Sequence, residues 1–129
     1  MAFKYRVKSK QDNINKPLGI KYYAVPVLRG QIDLMQIAKT LTHNSSLTES
    51  DVYATVIGMV GLIEEHLHNG YSVSIDGLGI FSLSASSDGF DTPEECTPHR
   101  VQARKICFRA DVKLKKNLPY VKFERDKSP

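Results

Sequence analysis

At Gly70 the spacing of apolar residues changes from helical to alternating, so a chain of this sequence must switch there from helix to strand. Upstream, "SLTESD" is a helix start. Thr48 suits the N-cap, Asp51 stands where a capping-box carboxylate would, and Leu47 precedes the cap as a staple to Val52. The helix is expected from Glu49 to about Asn69, with Gly70 ending it. Val52, Val56, Val60, Ile63 and Leu67 make one apolar stripe, and Tyr53, Ile57 and Met59 widen it beyond what a surface helix needs. The excess implies a second buried face, against another subunit. Gly58 and Gly61 cost helix propensity, which close packing at that point would explain. A shorter helix is expected in "QIDLMQIAKTL", where Ile32, Met35, Ile37, Ala38 and Leu41 fall near one face before "THNSS" breaks the pattern.

Downstream, "YSVSIDG" sets Tyr71, Val73 and Ile75 on one face of a strand, with serines and Asp76 on the other. "GIFSLSAS" continues the alternation through Phe81, Leu83 and Ala85. Glycine weakens a strand, so Gly77-Leu78-Gly79 between the two runs marks a tight turn where side chains would obstruct. "SSDGFDTPEECTPH" is polar, acidic and turn-rich, and reads as a loop. In "RVQARKICFR", Val101, Ala103, Lys105 and Cys107 alternate with Gln102, Arg104, Ile106 and Phe108. "ADVKLKKNL" reads as a short helix, Asp111 at its start and lysines at its end, stopped by Pro119. Before all this, Tyr22 to Leu28 suits a strand that Pro26 confines to a sheet edge, and "YVKFE" suits a last short strand.

Charge divides the chain in three. Residues 1–30 hold seven Lys/Arg and one acid, residues 31–98 one Lys and ten acids, and residues 99–129 ten Lys/Arg and three acids. Basic ends around an acidic middle point to a polyanionic partner, or else to solvated basic tails. We read 1–30 as a basic N-terminal extension with an edge strand, 31–118 as the main domain, and 119–129 as a tail.

From Ile32 to Leu118 the chain resembles the bacterial histone-like proteins, the HU and integration-host-factor group. Gly77-Leu78-Gly79-Ile80-Phe81 matches that family's Gly-Phe-Gly-x-Phe turn, with Leu78 in place of the usual Phe. "SLTESDV" and "HNG" bound the second helix as in the family, and "CFRADVKLKK" resembles its Phe-Arg-Pro-Gly-Lys-x-Leu-Lys segment. The long N-terminal extension and the tail look like a divergent, longer-chain branch.

The resemblance implies an α+β fold: an intertwined homodimer with a two-helix base, an antiparallel sheet carrying a β-arm, and a short C-terminal helix. It implies a dimer core of Phe81, Phe108, Leu78, Val56, Val60 and Ile63. It implies double-stranded DNA as partner, gripped without base readout by Arg100, Arg104, Lys105, Arg109, Lys113, Lys115 and Lys116. Gly77 and Gly79 would let the turn approach phosphate, or would simply serve a tight hairpin. The expected role is architectural, in the nucleoid of the cytoplasm.

The family's arm tip, Arg-Asn-Pro-x-Thr-Gly, wedges a proline into the duplex. Here the tip carries Asp88, Asp91, Glu94 and Glu95, which repel phosphate, and Pro93 and Pro98 sit in the wrong setting. Ala110-Asp111-Val112 replaces Pro-Gly-Lys and removes one lysine. DNA contact then shifts toward the body of the saddle and the extension, where Lys4, Arg6, Lys8 and Lys10 lie. The acidic loop supports a second reading, a structural or protein-interaction module of the same fold.

Other chemistry finds no support in the residues. His66 and His68, two apart on a helix, do not share a face for a metal. Cys96 and Cys107 form no CxxC pair and are expected to be reduced thiols. "GLGIF" lacks the third glycine and following helix of a dinucleotide site, and no nucleophile turn or phosphate-cradling GxxxxGK loop occurs. Neither a cofactor nor a small-molecule substrate is expected. No apolar run approaches a membrane span, and the N-terminus lacks a signal-peptide core.

Overall fold

The computed structural model describes residues 2–12 and 19–127. The chain divides into two compact units, one built from both ends (residues 1–33 and 117–129), the other from residues 34–116.

The first unit is a three-stranded sheet of β1 (Phe3–Asp12), β2 (Gly19–Pro26) and β6 (Phe123–Arg125), in the order β2-β1-β6. β1 and β2 are antiparallel, paired from Tyr5↔Pro26 to Asp12↔Gly19, while β6 runs parallel to β1 from Phe3↔Phe123 to Tyr5↔Arg125. Pro26 has no N–H to donate and ends an edge strand, as its chemistry requires. The strand expected over Tyr22 to Leu28 therefore starts earlier and stops at Pro26. Beyond it, the Val27 N–H still donates to the Lys4 carbonyl (2.8 Å).

The two chain ends are tied at several points. The rings of Phe3 and Phe123 lie 5.7 Å apart. The Phe3 N–H donates to Lys122 O and the Asp126 N–H to Tyr5 O, each at 2.8 Å. Arg6 Nε pairs with Asp126 Oδ2 at 3.2 Å. The N-terminal basic stretch is thus the central strand of a sheet. Its signal is the alternation of Lys4, Arg6, Lys8 and Lys10 with Phe3, Tyr5 and Val7.

The second unit holds α1 (Leu34–Thr42), α2 (Glu49–His68), an antiparallel sheet of β3 (Val73–Ile75), β4 (Gly79–Ser87) and β5 (Val101–Ala110), and α3 (Val112–Lys115). The α2 start is built as its sequence dictates, with Thr48 Oγ1 accepting the Asp51 N–H at 3.1 Å. In the sheet, Phe81 pairs with Phe108 and Leu83 with Ile106, so these four share one face, the one turned toward α2. The Phe81 and Phe108 rings lie 4.9 Å apart.

Little of this apolar surface is covered by the chain itself. Among the described residues only Ala38, Val52 and Leu67 are buried apolar side chains. Of the expected dimer-core residues, Val60 is 52% exposed, Phe108 48% and Leu78 37%, while Phe81, Val56 and Ile63 are half-buried. A groove of about 330 Å³ remains open between Val60, Ile63 and Leu67 of α2 and Phe81 and Ile106 of the sheet. No helix among the described residues is long and apolar enough to cross a membrane.

Candidate nucleic-acid interface

The other face of the β3-β4-β5 sheet has the opposite character. By register, Ser74 lies beside Ile80 and Ile80 beside Arg109, Ser82 is opposite Cys107, and Ser84 is opposite Lys105. Farther along, Ser86 is opposite Gln102. Small hydroxyl side chains pave the surface and cations rise from β5. No carboxylate occupies a paired position on this face.

The strict alternation expected for β5 does not hold. Ser84 pairs with Lys105 but Ala85 pairs with Ala103, which leaves Arg104 as the extra residue of a β-bulge. A bulge re-aims a side chain that regular alternation would send to the far face. Arg104 Nε donates to Ser86 Oγ at 2.6 Å, so Arg104 and Lys105 share the serine face although adjacent in sequence. Alternation alone separates them, because it cannot register a bulge set by cross-strand bonding.

Of the seven cations expected at DNA, four lie on this face or at its edge. Arg104, Lys105 and Arg109 stand on the sheet, and Lys115 of α3 joins Arg109, Ser74, Ile80 and the acid Asp111 around a recess of about 370 Å³. Lys113 and Lys116, on or just after the same short helix, do not line that recess. Arg100 is engaged at the arm tip. Its guanidinium sits over the Phe90 ring at 5.1 Å, and its Nη1 donates to Glu95 O at 3.3 Å.

The tip is more ordered than the loop expected of it. Pro93 and Pro98 each open a turn of 3-10 helix, Pro93–Glu95 and Pro98–Arg100, where proline's missing N–H costs nothing.

Gly77 and Gly79 have internal reasons to be glycine. The Leu78 N–H donates to Ile75 O at 3.0 Å, closing a turn whose third residue, Gly77, has φ +81°. That is the type II position that favours glycine. A Cβ on Gly79 (φ +153°) would collide with the Arg109 carbonyl oxygen and come within 2.8–2.9 Å of the Phe108 ring. The turn is also stitched to α3. Asp111 caps that helix, Oδ1 accepting the Lys113 N–H at 2.8 Å, while Oδ2 accepts the Gly77 N–H at 3.4 Å. The Asp111 N–H in turn donates to Leu78 O at 2.9 Å. The Gly77 N–H is thus engaged within the chain, by the Asp111 carboxylate. Asp111 thus has a positioning role that its substitution for the family's glycine did not advertise.

Comparison with known proteins bears on this arrangement of helices, hairpin arm and glycine turn. A family model described as "HU domain fused to wHTH, Ig, or Glycine-rich motif" matches residues 1–125. The chain belongs to this HU-HIG family. A search of curated proteins found no match. Among solved structures, this HU-HIG chain is similar to a Bacteroides vulgatus protein whose name makes it a candidate bacterial DNA-binding protein. The TM-score is 0.66 at 14% identity, over 96% of this chain and 48% of that one, so this chain spans about half the length of that neighbour. The likeness shows a shared fold. An Anabaena HU protein solved in complex with DNA aligns with a TM-score of 0.48 at 16% identity, over 68% of this chain and 97% of that one.

Proposed function

We propose that this HU-HIG chain binds double-stranded DNA as an intertwined homodimer, without base readout, and acts as an architectural protein of the nucleoid. One observation carries the reading: the serine-paved face of the β3-β4-β5 sheet, where no paired position holds a carboxylate, with Arg104, Lys105, Arg109 and Lys115 on it or at its rim and Asp111 the acid lining the recess there. Small hydroxyls let a polyanion approach closely, and lysines and arginines neutralise phosphates and release their counterions. The names of the structural neighbours agree with it.

The open apolar groove along α2 and the exposure of Phe108 and Ile106 support a second copy of the chain as the covering partner. Burying that surface supplies the main favourable term in such association. Asp88, Asp91, Glu94 and Glu95 keep the arm tip away from phosphate, so the sheet and not the tip makes the contact. The chemistry is binding, with no bond made or broken.

Titration of a mixed-sequence duplex at stepped salt tests this. Replacing Arg104, Lys105 and Arg109 by Ala is expected to weaken every duplex alike and to flatten the log–log salt slope by about 3. A loss confined to one sequence contradicts backbone contact. No binding at low salt leaves the fold to the second reading, a protein-interaction module whose acidic arm tip meets another protein.

A further inference from the structure

The sheet of the first unit carries a second concentration of positive charge. Lys4, Arg6, Lys8 and Lys10 occupy alternate positions of β1 and therefore one face, spaced about 6.6–6.8 Å apart along the strand. On β2, Val25, Tyr23 and Lys21 lie opposite Arg6, Lys8 and Lys10.

The row meets acids at its β6 end. Lys4 lies beside Glu124 in the register with β6, and Arg6 pairs with Asp126. Toward the other end, Lys8, Lys10 and Lys21 are exposed and make no ion pair among the described residues. Against five cations the two strands hold a single acid, Asp12, paired with Gly19 at the far end.

Lys10 and Lys21 are direct cross-strand partners. Like charges so placed destabilise a sheet, so folding alone does not favour this pair. Tyr23, 49% exposed and opposite Lys8, lines with Lys8, Lys10 and Val25 a recess of about 490 Å³. A β-sheet face that sets lysines with no ion pair among the described residues around an exposed aromatic ring is complementary to a phosphate backbone. A duplex offers a phosphate for about every 3.4 Å of each strand, dense enough for every lysine of the row to find one.

We propose that Lys8, Lys10 and Lys21 form a second duplex-DNA contact, on a unit separate from the serine face. The inference rests on the reading above for its partner, duplex DNA, but not for its surface. Two independent grips on one chain allow it to hold two duplex segments, or one segment at two places.

The test uses the full chain, a mixed-sequence duplex and stepped salt. Replacing Lys8, Lys10 and Lys21 by Ala is expected to flatten the salt slope by about 2 to 3, and replacing all three by Arg is expected to restore it. If the Ala variant keeps the parent's affinity and slope while the Arg104/Lys105/Arg109 variant loses them, this inference falls and the serine-face reading stands. If the parent itself fails to bind at low salt, the partner is wrong and both fall. Tighter retention of single strands than of duplex by this surface also overturns it. Lys10→Glu removes the like-charged pair, so it is expected to weaken binding while the melting temperature holds or rises. A lower melting temperature would show that the pair carries no folding penalty and remove that support.

Discussion

Two three-stranded sheets in this chain each present a basic face, and they reach it by different means. In the first unit the cations follow from alternation along β1, and the sheet is held by pairing the two chain ends. In the second unit a bulge turns Arg104 to the side of Lys105, and the opposite face carries Phe81, Leu83, Ile106 and Phe108 toward α2. The first arrangement depends on strand pairing and surface electrostatics. The second depends on apolar burial and on a backbone approach that tolerates no Cβ at Gly79. The difference teaches where each face is vulnerable.

The largest effect is expected at Phe81. Its ring contacts Phe108 and borders the open α2 groove, so Phe81→Ala removes the anchor of the apolar face. In the proposed dimer, where a second copy covers that groove, a cost of about 3–5 kcal/mol is expected. Light scattering should show the proposed dimer dissociating, and an unchanged dimer would break the contrast between the two sheets.

Gly79→Ala comes next. The added Cβ meets the Arg109 carbonyl, which is backbone and cannot swing aside, and the Phe108 ring. Overpacking of this kind costs about 1–3 kcal/mol, with strain at the positive φ in addition. Chemical denaturation would read it as a lower midpoint at unchanged slope. A neutral result would mean that this glycine is kept for an external contact after all.

The smallest effect is expected in the first unit. Arg6 is half exposed (51%), although the Asp126 side chain is largely covered (8%). Solvent screening limits such a pair, so Asp126→Ala should cost no more than about 1 kcal/mol by the same denaturation. A loss rivalling that of Phe81→Ala would mean that the end-to-end pairing carries the fold, and would reverse the comparison.

The candidate site was legible in part. Arg104, Lys105, Arg109 and Lys115 were identified from charge and resemblance, and the serines that pave their face stood in plain alternation in "SVSI" and "FSLSAS". Arg100 was identified on the same grounds, yet Phe90 and Glu95 O engage it. Charge alone does not tell which cations also bond within their own chain, as Arg100 and Arg104 do. Gly79 was recognised as a place where a side chain would obstruct, but the obstructing atoms belong to residues some thirty positions away in sequence.

The sequence by itself determined the local features of this protein: where α2 begins, the turn at Gly77, and the alternation that gives each strand two unlike faces. Those depend on caps, backbone angles and side-chain period within a few neighbouring residues. Only the tertiary structure decided that the two chain ends share a sheet, that Lys10 meets Lys21, and that a bulge brings Arg104 beside Lys105. Hydrogen bonding between distant strands sets register, and no local pattern encodes which partner a strand will find.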